Sequence, residues 1–262
     1  MKQTRRLAEL SAIFILAGCL VLAVGGFAGR VTAANAWEPF PGLYAPASEP
    51  EPAPTGKVIY LTFDDGPSKN TRAILDMLRE EQAKATFFVT AQYEDTAFVE
   101  AMLVRMREEG HTIGLHSYTH SFSQIYKYTD AFLADLDKLN TFIENATGLR
   151  PQILRFPGGS RSSGAPTWLL EEAKSELTRR GYLYYDWDVV SGDDTAVVYP
   201  ADVLCENMLL RLKGKEQAII LCHDNATPKT TPEAVRLLIR ALRDEGYSFE
   251  ALTPAVEPVH IH

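Results

Sequence analysis

The chain has 262 residues, 46% of them apolar and 23% charged, an ordinary globular composition with room for one substantial core. Its formal net charge is −8. Residues 1–36 contribute +3, from Lys2, Arg5, Arg6 and Arg30 against Glu9, so the remainder carries −11. An acidic body of this kind excludes general binding of nucleic acid, which it would repel at long range, but not a neutral polymer.

The chain opens with an export signal. Lys2, Arg5 and Arg6 form a positive start, Leu10 to Ala28 is an apolar run, and Ala34-Asn35-Ala36 supplies a small-residue cleavage site before Trp37. The apolar run is also long enough to span a bilayer. In addition, Leu16-Ala17-Gly18-Cys19 has the form of a bacterial lipoprotein cleavage site, although the chain stays apolar beyond Cys19. All three readings place the protein outside the cytoplasm, extracellular or in the cell wall. They leave open whether residues 10–28 are cleaved, lipidated or kept as an anchor. Membrane contact is expected only through this segment.

Residues 37–56 hold six prolines, at positions 39, 41, 46, 50, 52 and 54. Proline lacks the N–H that helices and sheets need, so a linker is predicted here. It is either a polyproline spacer reaching up to ~60 Å or a disordered leader. One domain is expected over 57–254 and an unstructured tail, with His260 and His262, over 255–262.

From Lys57 onward a β-rich run alternates with a helical pattern closed by glycine. Strands are predicted at Val58–Phe63, Ala85–Val89, Thr112–Leu115, Gln152–Phe156, Tyr182–Trp187, Gln217–Cys222 and Tyr247–Leu252. Ile74, Met77 and Leu78 share one helical face, and Met102, Leu103 and Met106 share another. Arg180-Gly181-Tyr182 and Glu245-Gly246-Tyr247 repeat one helix stop, with glycine at the left-handed end position. Thr231-Pro232 reads as an N-cap and first-turn pair. Seven strands alternating with about six helices predict a parallel α/β fold, open or closed into a barrel. Cys205 and Cys222 are too few for a disulfide framework and are read as buried free thiols.

Ionisable residues cluster at the predicted strand ends, where α/β barrels gather their active sites. Asp64 and Asp65 follow the first strand, and His116 follows the third, with His120 four residues on. Arg155 ends the fourth, Asp193 comes shortly after the fifth, and His223 follows the sixth. His116 and His120 are spaced so that both imidazoles reach one ion, though the glutamate of a His-Glu-x-x-His peptidase is absent. A third ligand from Asp64-Asp65 completes a set that leaves room for water. Adjacent carboxylates repel, and a cation between them resolves this; one can bind it while the other accepts a proton. His111 is read as the start of a strand, not a ligand.

Together these residues resemble the polysaccharide deacetylase family (carbohydrate esterase family 4, the nodulation-type chitooligosaccharide deacetylase domain). The resemblance runs from Lys57 to Leu252 and engages five motifs in order: Thr62–Pro67, His116–His120, Arg155–Gly159, Asp193 and Leu221–His223. It implies a distorted seven-stranded (β/α) barrel with Asp64 as general base, Asp65, His116 and His120 as metal ligands, and Arg155 orienting the base. It also implies that the Gly158 N–H faces the oxyanion, that Asp193 pairs with the catalytic acid His223, and that Leu221 lines an acetyl pocket. Pro157, within the third motif, is taken as substrate-binding. Two positions depart from the pattern. Gly158 stands where the third motif often has an aromatic, and Asp194 where a tryptophan often follows the fourth-motif aspartate. Trp187 is a candidate aromatic wall in their place, or a core tryptophan at a strand end.

The implied activity is metal-dependent removal of acetyl groups from the N-acetylglucosamine or N-acetylmuramic acid units of a cell-wall or chitin-type polysaccharide, peptidoglycan foremost, by a monomer. The implied cofactor is a divalent ion, zinc first, with cobalt, nickel or manganese as alternatives. Two other classes compete. A catalytically silent carbohydrate-binding module on the same fold would not need base, acid and three ligands together. A non-haem iron oxygenase shares the two-histidine-one-carboxylate set but has no use for Asp64 and His223.

Overall fold

The computed structural model describes residues 38–47, 52–225 and 230–261. The predicted export signal of residues 1–36 and His262 lie outside the described residues. Pro41 ends one compact unit and Gly42 begins the other, Gly42–His262, which holds every element below. No helix among the described residues is long and apolar enough to cross a membrane.

Among the described residues, eight parallel strands and seven helices follow one another: β1 Val58–Asp64, α1 Thr71–Glu80, β2 Ala85–Thr90, α2 Thr96–Glu108, β3 Thr112–Ser117, α3 Phe122–Ile125, α4 Thr129–Thr147, β4 Ile153–Leu154, α5 Thr167–Arg179, β5 Leu183–Tyr184, β6 Val189–Val190, α6 Ala201–Leu212, β7 Gln217–His223, α7 Thr231–Asp244 and β8 Ser248–Phe249. Seven strands run in the order β5-β4-β3-β2-β1-β7-β6, and β8 pairs with the first residues of β1. This is the curled (β/α) half-barrel that the strand–helix rhythm predicted. The short β6 was not foreseen, and Asp193 follows it rather than β5.

The central strand β1 is buried along its whole length, as expected of a strand covered on both faces. Strand side chains alternate, so Val58, Tyr60, Thr62 and Asp64 share one face. Val58 and Tyr60 join Phe88, Ile153, Tyr185 and Ile219 in the core. Along a single face β1 thus passes from oil to a carboxylate at its C-terminal end. Gly114 serves this interior: a Cβ there would lie 2.5 Å from the Phe88 ring.

The helices bury the predicted faces, Ile74, Met77 and Leu78 on α1 and Met102, Leu103 and Met106 on α2. Gly181 and Gly246 adopt φ of 85° and 87° at the predicted helix stops. The cap of α7 differs from expectation. Thr230 holds the cap position, and the Thr231 hydroxyl donates instead to Asp193 at 2.8 Å. Cys205 and Cys222 are buried free thiols, and burial pushes the Cys222 pKa well up.

Two terminal segments carry contacts that local composition did not reveal. Within the proline-rich stretch, Leu43 is fully buried, the Ala45 N–H donates to the Arg180 carbonyl at 3.0 Å, and Gln152 donates to the Pro46 carbonyl. The reading of the tail as unstructured is corrected for residues 255–261. Val256 is buried, the Asp186 N–H donates to the Val259 carbonyl, and the Ile261 N–H donates to Asp186. The His260 ring stacks on Tyr184 at 4.1 Å. Apolar side chains at 256, 259 and 261 provide the burial that holds this segment in place.

Candidate active site

The C-terminal ends of β1, β3 and β7 converge on a cavity of about 420 Å³, whose lining includes Asp64, Asp65, His116, His120, Gly158, Trp187, Leu221 and His223. Asp65 turns off the end of β1 with φ of 75°, a left-handed conformation that aspartate tolerates better than most side chains. Its Oδ1 lies 3.5 Å from His116 Nε2 and 3.2 Å from His120 Nε2. Burial pushes the Asp65 pKa up, but His116, followed by the charges of His120 and His223, outweighs it and brings the value to about 2.

His116 is oriented from behind. Its Nδ1 lies 2.8 Å from the Arg155 carbonyl, which can only accept, so Nδ1 carries a proton and Nε2 is the ring nitrogen turned toward Asp65. One donor atom from each of Asp65, His116 and His120 lies within 4.8 Å of the others. A carboxylate oxygen and an imidazole lone pair facing each other across such a gap require a proton or a cation between them. These three residues therefore fit a divalent ion.

The loop between the two histidines hangs on Asp135 of α4, which sequence reasoning missed. Its Oδ2 accepts from Ser117 Oγ and the Tyr118 N–H, both at 2.7 Å, and its Oδ1 from the Thr119 N–H and hydroxyl at 3.0 and 2.8 Å. Ser117 Oγ in turn accepts the His120 N–H. Asp135 stands 16 residues beyond Thr119, in the second helix after the pair, and no local motif announces it.

Asp64 faces this group, its Oδ2 3.9 Å from His116 Nε2, while Oδ1 accepts from Arg155 at 2.8 Å. Arg155 is fully buried. It donates to Thr62, Asp64 and the carbonyls of Tyr185 and Asp186, and lies over the Phe88 ring. With its donors occupied and no room to move, it holds Asp64 in one orientation.

His223 ends β7 directly beside Asp64 in the parallel register. Its Nδ1 lies 2.9 Å from Asp193 Oδ1, and its N–H donates to Oδ2. Burial pulls the His223 pKa down, but the hydrogen bond and charge of Asp193, with Asp64 and Asp65, outweigh it and lift the value to about 9. Asp193, Asp194 and His223 also lie close enough together to suggest a cation site. Asp193 argues against it: Ser191 and His223 Nδ1 occupy one oxygen, Thr231 and the His223 N–H the other. That pair is an imidazolium with its counter-ion.

The remaining expectations divide. Gly158 lines the cavity with φ of 77°, and its N–H has no partner among the described residues. Leu221, opposite Val190 in the register, forms an apolar wall with Trp187. Trp187 lines the cavity and also packs on the core and over Arg155. Pro157 is buried and is not among the residues that line the cavity; its carbonyl accepts from Tyr126 Oη at 2.8 Å. Besides Asp135, the sequence reading missed Phe122 and Val190 in the wall.

A cation site, a carboxylate beside it and a carboxylate-backed imidazole on the other flank together suit hydrolysis of a bond whose leaving group must be protonated. The fold and site thus define a class of water-activating hydrolases on a curled α/β barrel. The chain belongs to the polysaccharide deacetylase family, whose model matches residues 51–175. A peptidoglycan-N-acetylglucosamine deacetylase of Bacillus cereus is 33% identical over 199 residues, covering 74% of this chain and 69% of that one. The Bacillus subtilis peptidoglycan-N-acetylmuramic acid deacetylase PdaA is 30% identical over 198 residues, 75% of this chain and 70% of its own. Among solved structures, the catalytic domain of peptidoglycan N-acetylglucosamine deacetylase from Eubacterium rectale superposes with a TM-score of 0.75 at 34% identity. That match covers 82% of this chain and 97% of that domain.

Proposed function

We propose that this protein hydrolyses the N-acetyl groups of amino sugars in cell-wall peptidoglycan, with Asp64 as base and His223 as acid. The observation that carries the reading is their placement side by side on β1 and β7, flanking the Asp65–His116–His120 donors. The activities of the relatives named above on the two peptidoglycan sugars support the choice of polymer.

Asp65, His116 and His120 would hold the ion. Zinc suits two imidazoles and a carboxylate, with cobalt, nickel or manganese able to replace it. When bound, such an ion supplies a water of lowered pKa and polarises the acetamide carbonyl. Asp64, fixed through Oδ1 by Arg155, takes the proton of the attacking water on Oδ2. The Gly158 N–H donates to the oxyanion as the carbonyl carbon becomes tetrahedral. The C–N bond then breaks as His223 Nε2 gives its proton to the nitrogen, Nδ1 staying on Asp193. Leu221 and Val190 accommodate the methyl group.

The positive start and apolar run at the N-terminus support export, with residues 10–28 either removed or kept as an anchor. The test is acetate release by the purified protein from peptidoglycan and from N-acetylglucosamine oligomers, with and without chelator and with zinc restored. No acetate from either substrate would sink the function. Acetate release indifferent to chelation would sink the metal.

A further inference from the structure

Phe122 is the first residue of α3 and stands half-exposed in the wall of the active-site cavity, beside His120 and Gly158. A phenyl ring left in a cleft lined by aspartates and histidines gains nothing from water. Two glycines shape the space it occupies. A Cβ on Gly158 would lie 3.4 Å from the ring and also crowd Ser162, but φ of 77° already accounts for glycine there. Gly164 has no such conformational reason. A Cβ on it would lie 2.4 Å from Phe122 Cδ1, so glycine at 164 is explained by the ring. Tyr126 meets the same ring edge-on at 5.4 Å and fixes it from the other side.

We propose that Phe122 is the aromatic platform on which the reacting sugar ring rests, with Gly164 leaving the space that sets it in the wall. The proposal rests on the reading of the protein as an amino-sugar deacetylase. A pyranose presents a face of C–H bonds, apolar and flat enough to cover a phenyl ring, while its hydroxyls turn to the polar groups of the cleft. Phe122 also explains how this chain forms an aromatic wall with glycine at position 158. The ring comes from the loop after the histidine pair, and Trp187 supplies the second aromatic surface of the cavity.

A competing role exists on the same contacts. Phe122 meets the His120 ring edge-on at 5.6 Å and could act only as a brace for that donor. The two roles separate by substrate and by metal. As a platform, Phe122→Ala raises KM for an N-acetylglucosamine oligomer about 10-fold, far more than for an aryl acetate, which has no pyranose. Its zinc content stays that of the parent. Phe122→Tyr restores the oligomer KM, and Gly164→Ala, which displaces the ring without deleting it, raises it as Phe122→Ala does. Equal losses on both substrates, or lost zinc in Phe122→Ala, would overturn the platform. Calorimetric titration of the oligomer into Asp64→Asn protein, with and without Phe122→Ala, tests the platform independently of turnover. Weaker binding without the ring supports it; binding unchanged without the ring, or none to the Asp64→Asn protein that keeps it, overturns it, whereas a wild-type protein that releases no acetate overturns the deacetylase reading.

Discussion

Strand β3 has a buried histidine at each end, and the two sit in different chemical worlds. His111, just before the strand, adjoins a cavity of about 390 Å³ lined by Ile113, Ile143, Leu149, Ile153 and Leu252 among others. Its Nδ1 accepts the Ala85 N–H at 3.2 Å, and burial, helped by Lys84, pushes its pKa down to about 4. His116, near the other end, is equally buried, and burial pulls its pKa down too. There Asp64 and Asp65 outweigh burial and the pKa rises. Cavities of similar size open at the two ends, so room and burial do not make a site. Converging carboxylates at the C-terminal rim do.

The contrast is broken most severely at the rim. His116→Ala and His120→Ala are each expected to lose bound metal and turnover by several orders of magnitude while the fold persists. Full metal occupancy in either variant would refute the assignment. Asp64→Asn should keep the metal and lose turnover, and Asp65→Asn should lose metal affinity. Swapped phenotypes would exchange the two roles.

His223→Ala comes next, with an expected loss of roughly 10²- to 10⁴-fold on the amide substrate. Hydrolysis of an aryl acetate, whose phenolate departs unprotonated, should suffer far less. Equal losses on both would place His223 in the attack step or the structure. With its pKa lifted to about 9, His223 keeps its proton at neutral pH, and activity should fall as pH rises through about 9. The same shift stabilises the fold fully below the ordinary histidine value near 6.5, a contribution lost as pH passes through about 9. Asp193→Asn should move the alkaline limb of the rate profile downward.

A smaller effect is expected at Asp135. Asparagine there can still accept from Thr119, but its amide turns a donor toward the Tyr118 N–H. Metal affinity should weaken about 10- to 100-fold, as for other partners that orient metal ligands. Unchanged affinity in Asp135→Asn, measured by competition with a chelator, would remove Asp135 from the site.

The smallest effect belongs to His111. Its depressed pKa contributes stability that is present above pH 6.5 and lost as pH falls through about 4. His111→Gln keeps an acceptor for Ala85 and should flatten the loss of stability between those values, read by denaturant unfolding, with turnover unaltered. An unaltered slope would show that His111 is not held neutral.

Much of this molecule was legible along the chain. The long strands β1, β2, β3 and β7 are β-rich runs buried along most of their length, and the helix stops at Gly181 and Gly246 are local events. The site could be found because Asp64, Asp65, His116 and His223 stand one or two positions past a predicted strand, and a parallel sheet brings all such positions to one rim. The two-residue strands were harder. β6 makes only two register pairs with β7, too few for a periodic signal.

Tertiary packing decided what depends on distant partners. Asp135 becomes the clamp of the histidine loop only because α4 lies against it, and Thr231 gives up its capping role because Asp193 is within reach. Pro157 faces inward, Phe122 stands in the wall by leave of Gly164, and residues 256–261 dock on Asp186 and Tyr184. Sequence pattern records which residues are able to bond or bury. Which of them do is set when remote segments compete for the same buried donors, acceptors and space.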